Sequence, residues 1–319
     1  MNRVSIIDAT LREGAQAPGA HFSAEQSARI AEALVACGVQ AIEVGHPAAG
    51  DDEAGRVRAV VALGSGRAVL AHARALVEDV EAVARTGADW VGVFLGVNPI
   101  TRRVRIGGGP SIEALLDRIA TAIRRARALG LKVRYTAEDS SRTNLDELRR
   151  AYACALEAGA NRICFADSVG LLEPAEVGAA VRALRGAFPE CPLEVHLHDD
   201  RGLALANALA AIDAGAAWVA TSVNGLGERC GVVETAAFLA NLHHRGMGPL
   251  PPPGALPRLS ELVAEASGSP PSPRAPVVGA HAFTHTAKLH ARAVAIDESS
   301  YSWLSPALLG RTTRIVPPG

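Results

Sequence analysis

Two histidines with a spacing suited to metal binding lie in residues 194–202, which read EVHLHDDRG. Residues 193–198 alternate in polarity and contain a β-branched valine, which predicts a short strand. On a strand, His196 and His198 project from the same face because side chains alternate. Two adjacent imidazoles followed by carboxylates suit a divalent metal, and a pair of hydrogen-bonded histidines at a strand edge is the weaker interpretation. A third ligand must come from elsewhere in the chain.

The first predicted strand ends in a charged stretch, residues 8–16, which read DATLREGAQ. Glu13 can complete a metal site with the two histidines and leave positions open for substrate or water. Arg12 beside it can stabilise an oxyanion. For a single motif of this kind, a solvated surface loop is the common interpretation. That interpretation weakens here because several predicted strands end in the same way.

Polar side chains also occur at the ends of the third, fifth and sixth predicted strands. Arg134 suits a carboxylate ligand, and Thr136 and Ser168 supply hydroxyl donors. Glu138 is a candidate general acid or base. For His72 taken alone, a structural role fits as well as a functional one.

The order of elements predicts how these residues come together. Eight β-rich runs alternate with eight helical runs, and a glycine stands at the helix C-cap before many of the strands. We predict strands near 4–8, 40–45, 67–71, 90–95, 131–137, 162–166, 193–198 and 217–222. We predict helices near 23–36, 51–63, 76–86, 111–129, 144–158, 174–186, 202–214 and 233–243. Eight such units favour a (β/α)8 TIM barrel over 1–245, in which catalytic groups gather at the carboxyl ends of the strands. A doubly wound sheet would use fewer strands, and no GxGxxG follows the first one.

The repeating pattern stops after residue 245. A Pro/Gly-rich stretch at 246–257 predicts a linker, 257–267 a short helix, and 268–277 a second connector. A segment rich in histidine follows and ends near Trp303. We therefore expect 246–319 to form a linker and a short C-terminal extension, an arm with side chains suited to catalysis.

Composition limits the class of protein. The chain has 319 residues, 49% hydrophobic residues and a net charge of −1, which predicts ample core and no electrostatic bias toward nucleic acid or anionic membrane. We find no apolar run of membrane-span length and no signal peptide. The five scattered cysteines lack CxxC spacing and suit reduced thiols. We expect a cytoplasmic protein with no nucleic-acid or membrane partner.

Five motifs carry a resemblance to a known family. DATLREGAQ, VRYTAED, FADSVG, VHLHDDRGLALAN and NGLGER occur in this order. Together they resemble the acyl-CoA-dependent condensing branch of the DRE-TIM metallolyases, the homocitrate synthases and isopropylmalate synthases. The resemblance covers the barrel and continues into the arm, where AFTHTAKLHARAVAIDESSY is most similar to homocitrate synthases.

The resemblance implies roles for individual residues. Glu13, His196 and His198 match the ligands of a divalent metal, and their oxygen and nitrogen donors admit zinc, magnesium or manganese. Arg12 matches the arginine beside the keto oxygen of the substrate, and Gln16 lies in the same motif.

Further residues match the positions that hold the two substrates. Those that match the binding site of the 2-oxo acid are His72, Arg134, Thr136 and Ser168. Those that match the acid–base residues of the acetyl group are Glu138, His290 and Tyr301. In the family the last two come from the partner subunit, so the resemblance implies a homodimer with shared active sites.

The implied reaction condenses acetyl-CoA with a 2-oxo acid, with 2-oxoglutarate favoured as the acceptor and homocitrate as the product. Alternatives remain because Lys288 replaces a family glycine and the region after Gly310 is short. One is a synthase for another acidic 2-oxo acid, such as a phosphonate or phosphinate analogue. Another is a cleaving lyase, suggested by Cys230 in a glycine-rich loop, although the lyase loop reads Gly-Gly-Cys-Pro. A barrel retained only for binding is the non-enzymatic alternative.

Overall fold

The computed structural model describes residues 4–316 and contains a closed barrel of eight parallel strands. The strands follow one another around the barrel in sequence order, and the first pairs with the eighth. They are β1 (Ser5–Asp8), β2 (Ala41–Glu43), β3 (Ala68–Arg74), β4 (Trp90–Phe94), β5 (Lys132–Ala137), β6 (Arg162–Asp167), β7 (Leu193–Leu197) and β8 (Trp218–Thr221). The predicted (β/α)8 TIM barrel is confirmed.

Eight helices connect and follow the strands. They are α1 (Ala24–Ala36), α2 (Asp51–Ala62), α3 (Val77–Ala84), α4 (Ile112–Ala128), α5 (Leu145–Glu157), α6 (Pro174–Ala187), α7 (Ala204–Asp213) and α8 (Thr235–His244). Local signals account for several of the ends: Ser23 and Gln26 form a capping box at the start of α1, and Ser111 caps α4. The predicted strands and helices lie within three residues of these bounds.

Strand β7 shows how the sequence separates the two faces of the barrel wall. Leu193, Val195 and Leu197 pack in the apolar layer between strands and helices. Glu194 and His196, which alternate with them, contact polar groups of the barrel interior instead. All five side chains are buried, as expected for a parallel strand covered on both faces. Alternation on this strand therefore directs one charged group and one imidazole inward.

The chain beyond the barrel has helical structure of its own. Helix α9 (Ala255–Ser267) packs against α1, and its Leu256, Leu259 and Val263 belong to the main core. After it come the paired strands β9 (Thr284–His285) and β10 (Arg314–Ile315), with α10 (Lys288–Ile296) between them.

The division into 1–245 and 246–319 stays a prediction. Among residues 4–316, no helix combines the length and the apolar character that crossing a membrane requires.

Candidate active site

Three buried side chains from two strand ends converge on one point. Glu13 lies in the turn after β1, while His196 and His198 lie at the end of β7. Glu13 Oε2 is 3.7 Å from His196 Nε2, and Glu13 Oε1 is 3.8 Å from His198 Nε2. One ligand atom from each residue can be chosen so that all lie within 4.8 Å of one another.

The chemistry of this cluster fits a divalent ion. Its nitrogen-to-oxygen distances are too long for hydrogen bonds but suit atoms that each lie about 2.1 Å from a shared ion. Nδ1 of His196 and Nδ1 of His198 are buried and have no hydrogen-bond partner among residues 4–316, so no hydrogen bond at this nitrogen fixes either ring. One carboxylate and two imidazoles leave further coordination positions open, the pattern of a catalytic rather than a structural site.

The protonation states also suit metal binding. Burial would raise the pKa of Glu13, but the Arg12 guanidinium and the hydrogen bond from the backbone N–H of Glu228 oppose it, and the pKa is lowered to about 2. Burial lowers the pKa of His196 to about 3, and it lowers the pKa of His198 as well. At neutral pH the cluster therefore consists of one anionic carboxylate and two neutral imidazoles, the forms that bind metal ions.

The loop after β8 closes over Glu13. The backbone N–H of Glu228 donates to Glu13 Oε1 at 3.0 Å. A Cβ on Gly227 would lie 3.0 Å from Glu13 Cγ, so glycine at this position lets the backbone approach the carboxylate. The glycine-rich segment thus shapes one wall of the site.

Charged side chains of alternating sign cross the barrel interior below the cluster, and we call this series the ion-pair column. It consists of Arg12, Glu43, Arg134, Glu194 and Arg162, in spatial order. The closest distances between neighbours are 2.8, 2.9, 2.9 and 2.9 Å. The last guanidinium lies over the rings of two tryptophans, with its carbon 3.8 Å from one ring centroid.

Each carboxylate of the column is shared between two guanidinium groups, and Glu43 shows the electrostatic result. Burial would raise its pKa, but Arg12 and Arg134 outweigh burial and hold that pKa well below its usual range. Shared hydrogen bonds compensate for the removal of these charges from water. They also fix the direction of the two arginine side chains that face the cavity.

The interior side chains leave hydrogen-bonding capacity toward a ligand. Arg134 Nε and Thr136 Oγ1 are both buried and have no hydrogen-bond partner among the described residues. Buried polar groups of this kind are rare unless a water or a ligand satisfies them. Burial also lowers the pKa of the neighbouring His72 well below its usual range, so this imidazole is neutral.

A cavity of about 270 Å³ at the carboxyl ends of the strands brings most of the predicted site residues together. Those that line it are Arg12, Glu13, Gln16, His72, Arg134, Thr136, Glu138, Ser168, His196 and His198. Barrel topology explains the convergence, since these residues come from strand ends that are distant in sequence but adjacent around the barrel.

Two predicted residues are not among those that line this cavity. His290 on α10 and Tyr301 stack on each other, with ring centroids 3.8 Å apart, in the C-terminal arm. His285 lies 6.1 Å from His290, between ring centroids. The resemblance assigned His290 and Tyr301 to the active site of a second copy of the chain, and that assignment stays a prediction.

Sequence reasoning did not single out several residues that shape the cavity. Glu43 is the last residue of β2 and lies within the run QAIEV, so the rule applied to other strand ends would have found it. Arg105, on a π-helical turn (Thr101–Arg105), forms an ion pair with Glu138. His46, in the loop after β2, bonds to Asp79 on α3. No sequence signal indicated these last two contacts.

Comparison with known proteins identifies the family. A family model described as HMGL-like matches residues 3–263. The homocitrate synthase of Pyrococcus abyssi is 41% identical over 313 residues, which cover 97% of this chain and 85% of that protein. The homocitrate synthase of Sulfurisphaera tokodaii is 38% identical over 314 residues, which cover 97% of this chain and 68% of that protein.

Solved structures agree on the fold. The hydroxymethylglutaryl-CoA lyase of Pseudomonas aeruginosa superposes with a TM-score of 0.73 at 21% identity, covering 84% of this chain and 96% of that one. The carboxyl transferase domain of Rhizobium etli pyruvate carboxylase gives a TM-score of 0.68 at 19% identity, covering 86% of this chain and 50% of that one. At such identities the likeness concerns the barrel alone.

The family match covers most of the chain, and the curated relatives extend it into the C-terminal arm. The predicted relationship to the DRE-TIM enzymes is confirmed. The chain belongs to the HMGL-like family, and within that family it is homocitrate synthase-like.

Proposed function

We propose that the protein condenses acetyl-CoA with a 2-oxo acid, with 2-oxoglutarate as the favoured acceptor and homocitrate as the product. The main support is the placement of Glu13, His196 and His198 beside Arg12 in one cavity. Relatives named homocitrate synthase match almost the whole length of the chain.

The cluster would hold the divalent ion that the family uses. When bound, such an ion polarises the ketone of the 2-oxo acid as a Lewis acid. The donor set of one oxygen and two nitrogens is compatible with zinc, magnesium or manganese. The side chains around it then determine how the substrate is oriented and where protons go.

Arg12 is placed to stabilise the oxygen that becomes negative during the addition. Its Nε donates a hydrogen bond to Glu43 Oε1 at 2.8 Å. Its Nη1 lies beside Glu13 and 3.5 Å from Gln16 Oε1. These contacts hold the guanidinium at the edge of the metal cluster before substrate arrives. A preoriented donor stabilises developing charge without reorganisation during the reaction.

Arg134 Nε and Thr136 Oγ1 would bind the acidic side arm of the acceptor. Neither atom has a partner among residues 4–316, and His72 lies beside them, with Nε2 3.5 Å from Glu43 Oε1. Ser168, whose Oγ accepts the backbone N–H of Asp139 at 2.9 Å, adds a hydroxyl on the β6 side. A carboxylate arm would satisfy the open donors, whereas an aliphatic arm would leave them unpaired.

Glu138 is the proposed base that takes a proton from the acetyl methyl group. The resulting carbon nucleophile adds to the ketone of the acceptor, and water then hydrolyses the thioester to release CoA. We further propose that His290 and Tyr301 of a second copy of the chain complete the site. Their absence from the cavity of their own chain supports this, as do the exposed Leu289 and Trp303 in the same arm.

Turnover of metal-loaded enzyme with acetyl-CoA and a panel of 2-oxo acids tests the proposal. CoA release is followed with a thiol reagent, and the product is identified by mass spectrometry. We expect one dominant acidic acceptor, with 2-oxoglutarate leading. Metal-replete enzyme that releases no CoA with any 2-oxo acid would contradict condensation, and a dominant phosphonate acceptor would instead support the specialised synthase.

A further inference from the structure

His46 adds a histidine to the cavity wall that neither the family match nor the proposed function uses. It follows β2 by three residues and lines the cavity, with its side chain 25% exposed. Its ring centroid is 6.3 Å from that of His72 and 6.1 Å from that of Phe94. His46 therefore borders the part of the cavity formed by Arg134, Thr136 and His72, which we call the acid-arm end.

Two anchors hold His46 in this position. Its backbone N–H donates to Glu53 Oε2 at 2.9 Å, which ties the loop to α2. Its ring Nε2 lies 3.0 Å from Oδ2 of the fully buried Asp79. Arg74 fixes Asp79 in turn through its Nε at 2.7 Å, its Nη2 at 2.8 Å and its backbone N–H at 3.0 Å. Because Asp79 engages Nε2, Nδ1 is the ring nitrogen that can bind a second partner.

The charges of the cavity wall explain why such a residue matters. Each of its four arginines already pairs with a protein carboxylate, and those arginines are Arg12, Arg105, Arg134 and Arg229. A further anionic group on the ligand therefore meets cations that are already compensated. His46 lies next to Phe94 and the neutral imidazole of His72, and the pairing of its Nε2 with Asp79 leaves Nδ1 as the ring nitrogen for a ligand.

We propose that His46 donates a hydrogen bond from Nδ1 to the acidic side arm of the 2-oxo acid and so selects acidic over aliphatic acceptors. Asp79 and Arg74 are positioning residues in this assignment. With the arm bound, the ring lies between the carboxylate of Asp79 and that of the ligand, with one ring nitrogen toward each. The inference rests on the proposed condensation and adds to it a residue that sets the acceptor class.

Substitution of His46 by phenylalanine separates this role from a structural one. We expect His46→Phe to raise the KM and the Kd for 2-oxoglutarate about tenfold, the effect of losing one hydrogen bond to a charged group. We expect kcat to stay within about twofold, since the reacting atoms are untouched. The Kd for 2-oxoisovalerate, an aliphatic acceptor, should not rise. His21→Phe, at an exposed histidine outside the cavity, is the matched control.

A second substitution tests the positioning residues. Asp79→Asn keeps the shape of the side chain and removes its charge, so we expect a smaller loss in the same direction. In the His46→Phe background it should change 2-oxoglutarate affinity little, because the imidazole it positions is gone. His46→Asn is a fallback of smaller volume if the phenylalanine variant does not fold.

Titration calorimetry with magnesium-loaded enzyme measures both acceptors independently of turnover. An equal loss of affinity for both acceptors, or no loss for either, overturns the role of His46 and leaves condensation intact. A wild-type enzyme that prefers aliphatic acceptors would likewise overturn the role of His46 and leave condensation intact. A wild-type enzyme that binds no 2-oxo acid and releases no CoA overturns the proposed function, and this inference with it.

Discussion

Arg105 forms an ion pair with Glu138, and this pair is common to two neighbouring cavities at the carboxyl ends of the strands. One is the cavity lined by Glu13, His196 and His198, and the other lies between β3, β4 and α4. Glu138 is the proposed base, so its carboxylate must be aimed at the acetyl methyl group. The side chain of Arg105 is about half exposed, and its strength as an ion pair is limited by solvent.

Arg105→Gln should therefore act on the orientation of Glu138 rather than on stability. We expect kcat to fall several-fold while the affinity for 2-oxoglutarate is unchanged, because a looser base spends less time in position. Arg103→Gln, on the same π-helical turn and exposed, is the control. Steady-state kinetics with acetyl-CoA as the varied substrate makes the measurement, and equal kcat in the two variants would contradict the role.

Removal of a metal ligand should abolish both metal binding and turnover. We predict that Glu13→Ala and His196→Ala each lose bound metal while their circular dichroism spectra stay native, because the apolar core between strands and helices is left unchanged. Elemental analysis of dialysed protein gives the stoichiometry, and chelation followed by metal addition should restore only the wild type. Stoichiometric metal and normal turnover in both variants would disprove the assignment.

The buried charge of Glu194 should contribute strongly to stability. Its carboxylate accepts hydrogen bonds from Arg134 at 2.9 Å and from Arg162 at 2.9 Å. Glu194→Gln therefore leaves two buried cations with one fewer anion. Breaking a buried pair costs about 3–5 kcal/mol. The exposed pair between Glu173 and Arg201 is the comparison, and Glu173→Gln should change the free energy of unfolding by less than about 1 kcal/mol. Urea unfolding measures the stability of both variants. Equal unfolding midpoints for the two would contradict a stabilising role of the ion-pair column.

Shared active sites can be tested by complementation. An inactive His290→Ala subunit and an inactive Glu13→Ala subunit should regain part of the activity when they form a heterodimer, since one intact site is then assembled. Differently tagged subunits allow the heterodimer to be purified before assay. A wild-type monomer with full activity, or a verified heterodimer without activity, would show that each chain works alone.

Inhibition by lysine is expected to be absent at millimolar concentration. The resemblance to homocitrate synthases implies that Gly92 on β4 lies near the position of an acidic residue in lysine-inhibited members. A Cβ at this position would lie 2.7 Å from Arg134 Nη2 and 2.8 Å from Leu70 Cδ2, so a larger side chain does not fit without movement. An ammonium bound there would lose its hydration while the carboxylate of Glu43 is already paired with Arg12 and Arg134, at a cost of several kcal/mol. Competitive inhibition by micromolar lysine would refute this.

The sequence predicted the barrel and most of the cavity for one physical reason. Hydrophobic periodicity identified the strands, and barrel closure then brings their polar carboxyl ends to one face, so Glu13 and His196 meet although 183 positions separate them. Glu194 was within reach of the same reasoning, because it precedes His196 by two residues and must share its face.

The contacts of Arg105 and His46 were not predictable in this way. Arg105 reaches Glu138 from a π-helical turn, whose geometry no hydrophobic pattern indicates. Asp79 reads as an ordinary acidic residue in the first turn of α3, yet it is buried beneath His46 and Arg74. Such contacts depend on how loops and helix ends pack, which alternation along a strand does not encode.

The ion-pair column restricts how substrate preference can diverge among relatives. Loss of Arg134 alone would leave the carboxylates of Glu43 and Glu194 with one fewer cation in the barrel interior. The free-energy cost would be a large share of the folding stability of a domain. A new acceptor class therefore requires compensated changes at several column positions at once, or a change outside the column. His46 lies outside it, in the loop after β2, and its side chain is 25% exposed. Substitutions that change acceptor preference should therefore appear first in the loop after β2, while the residues of the ion-pair column stay the same.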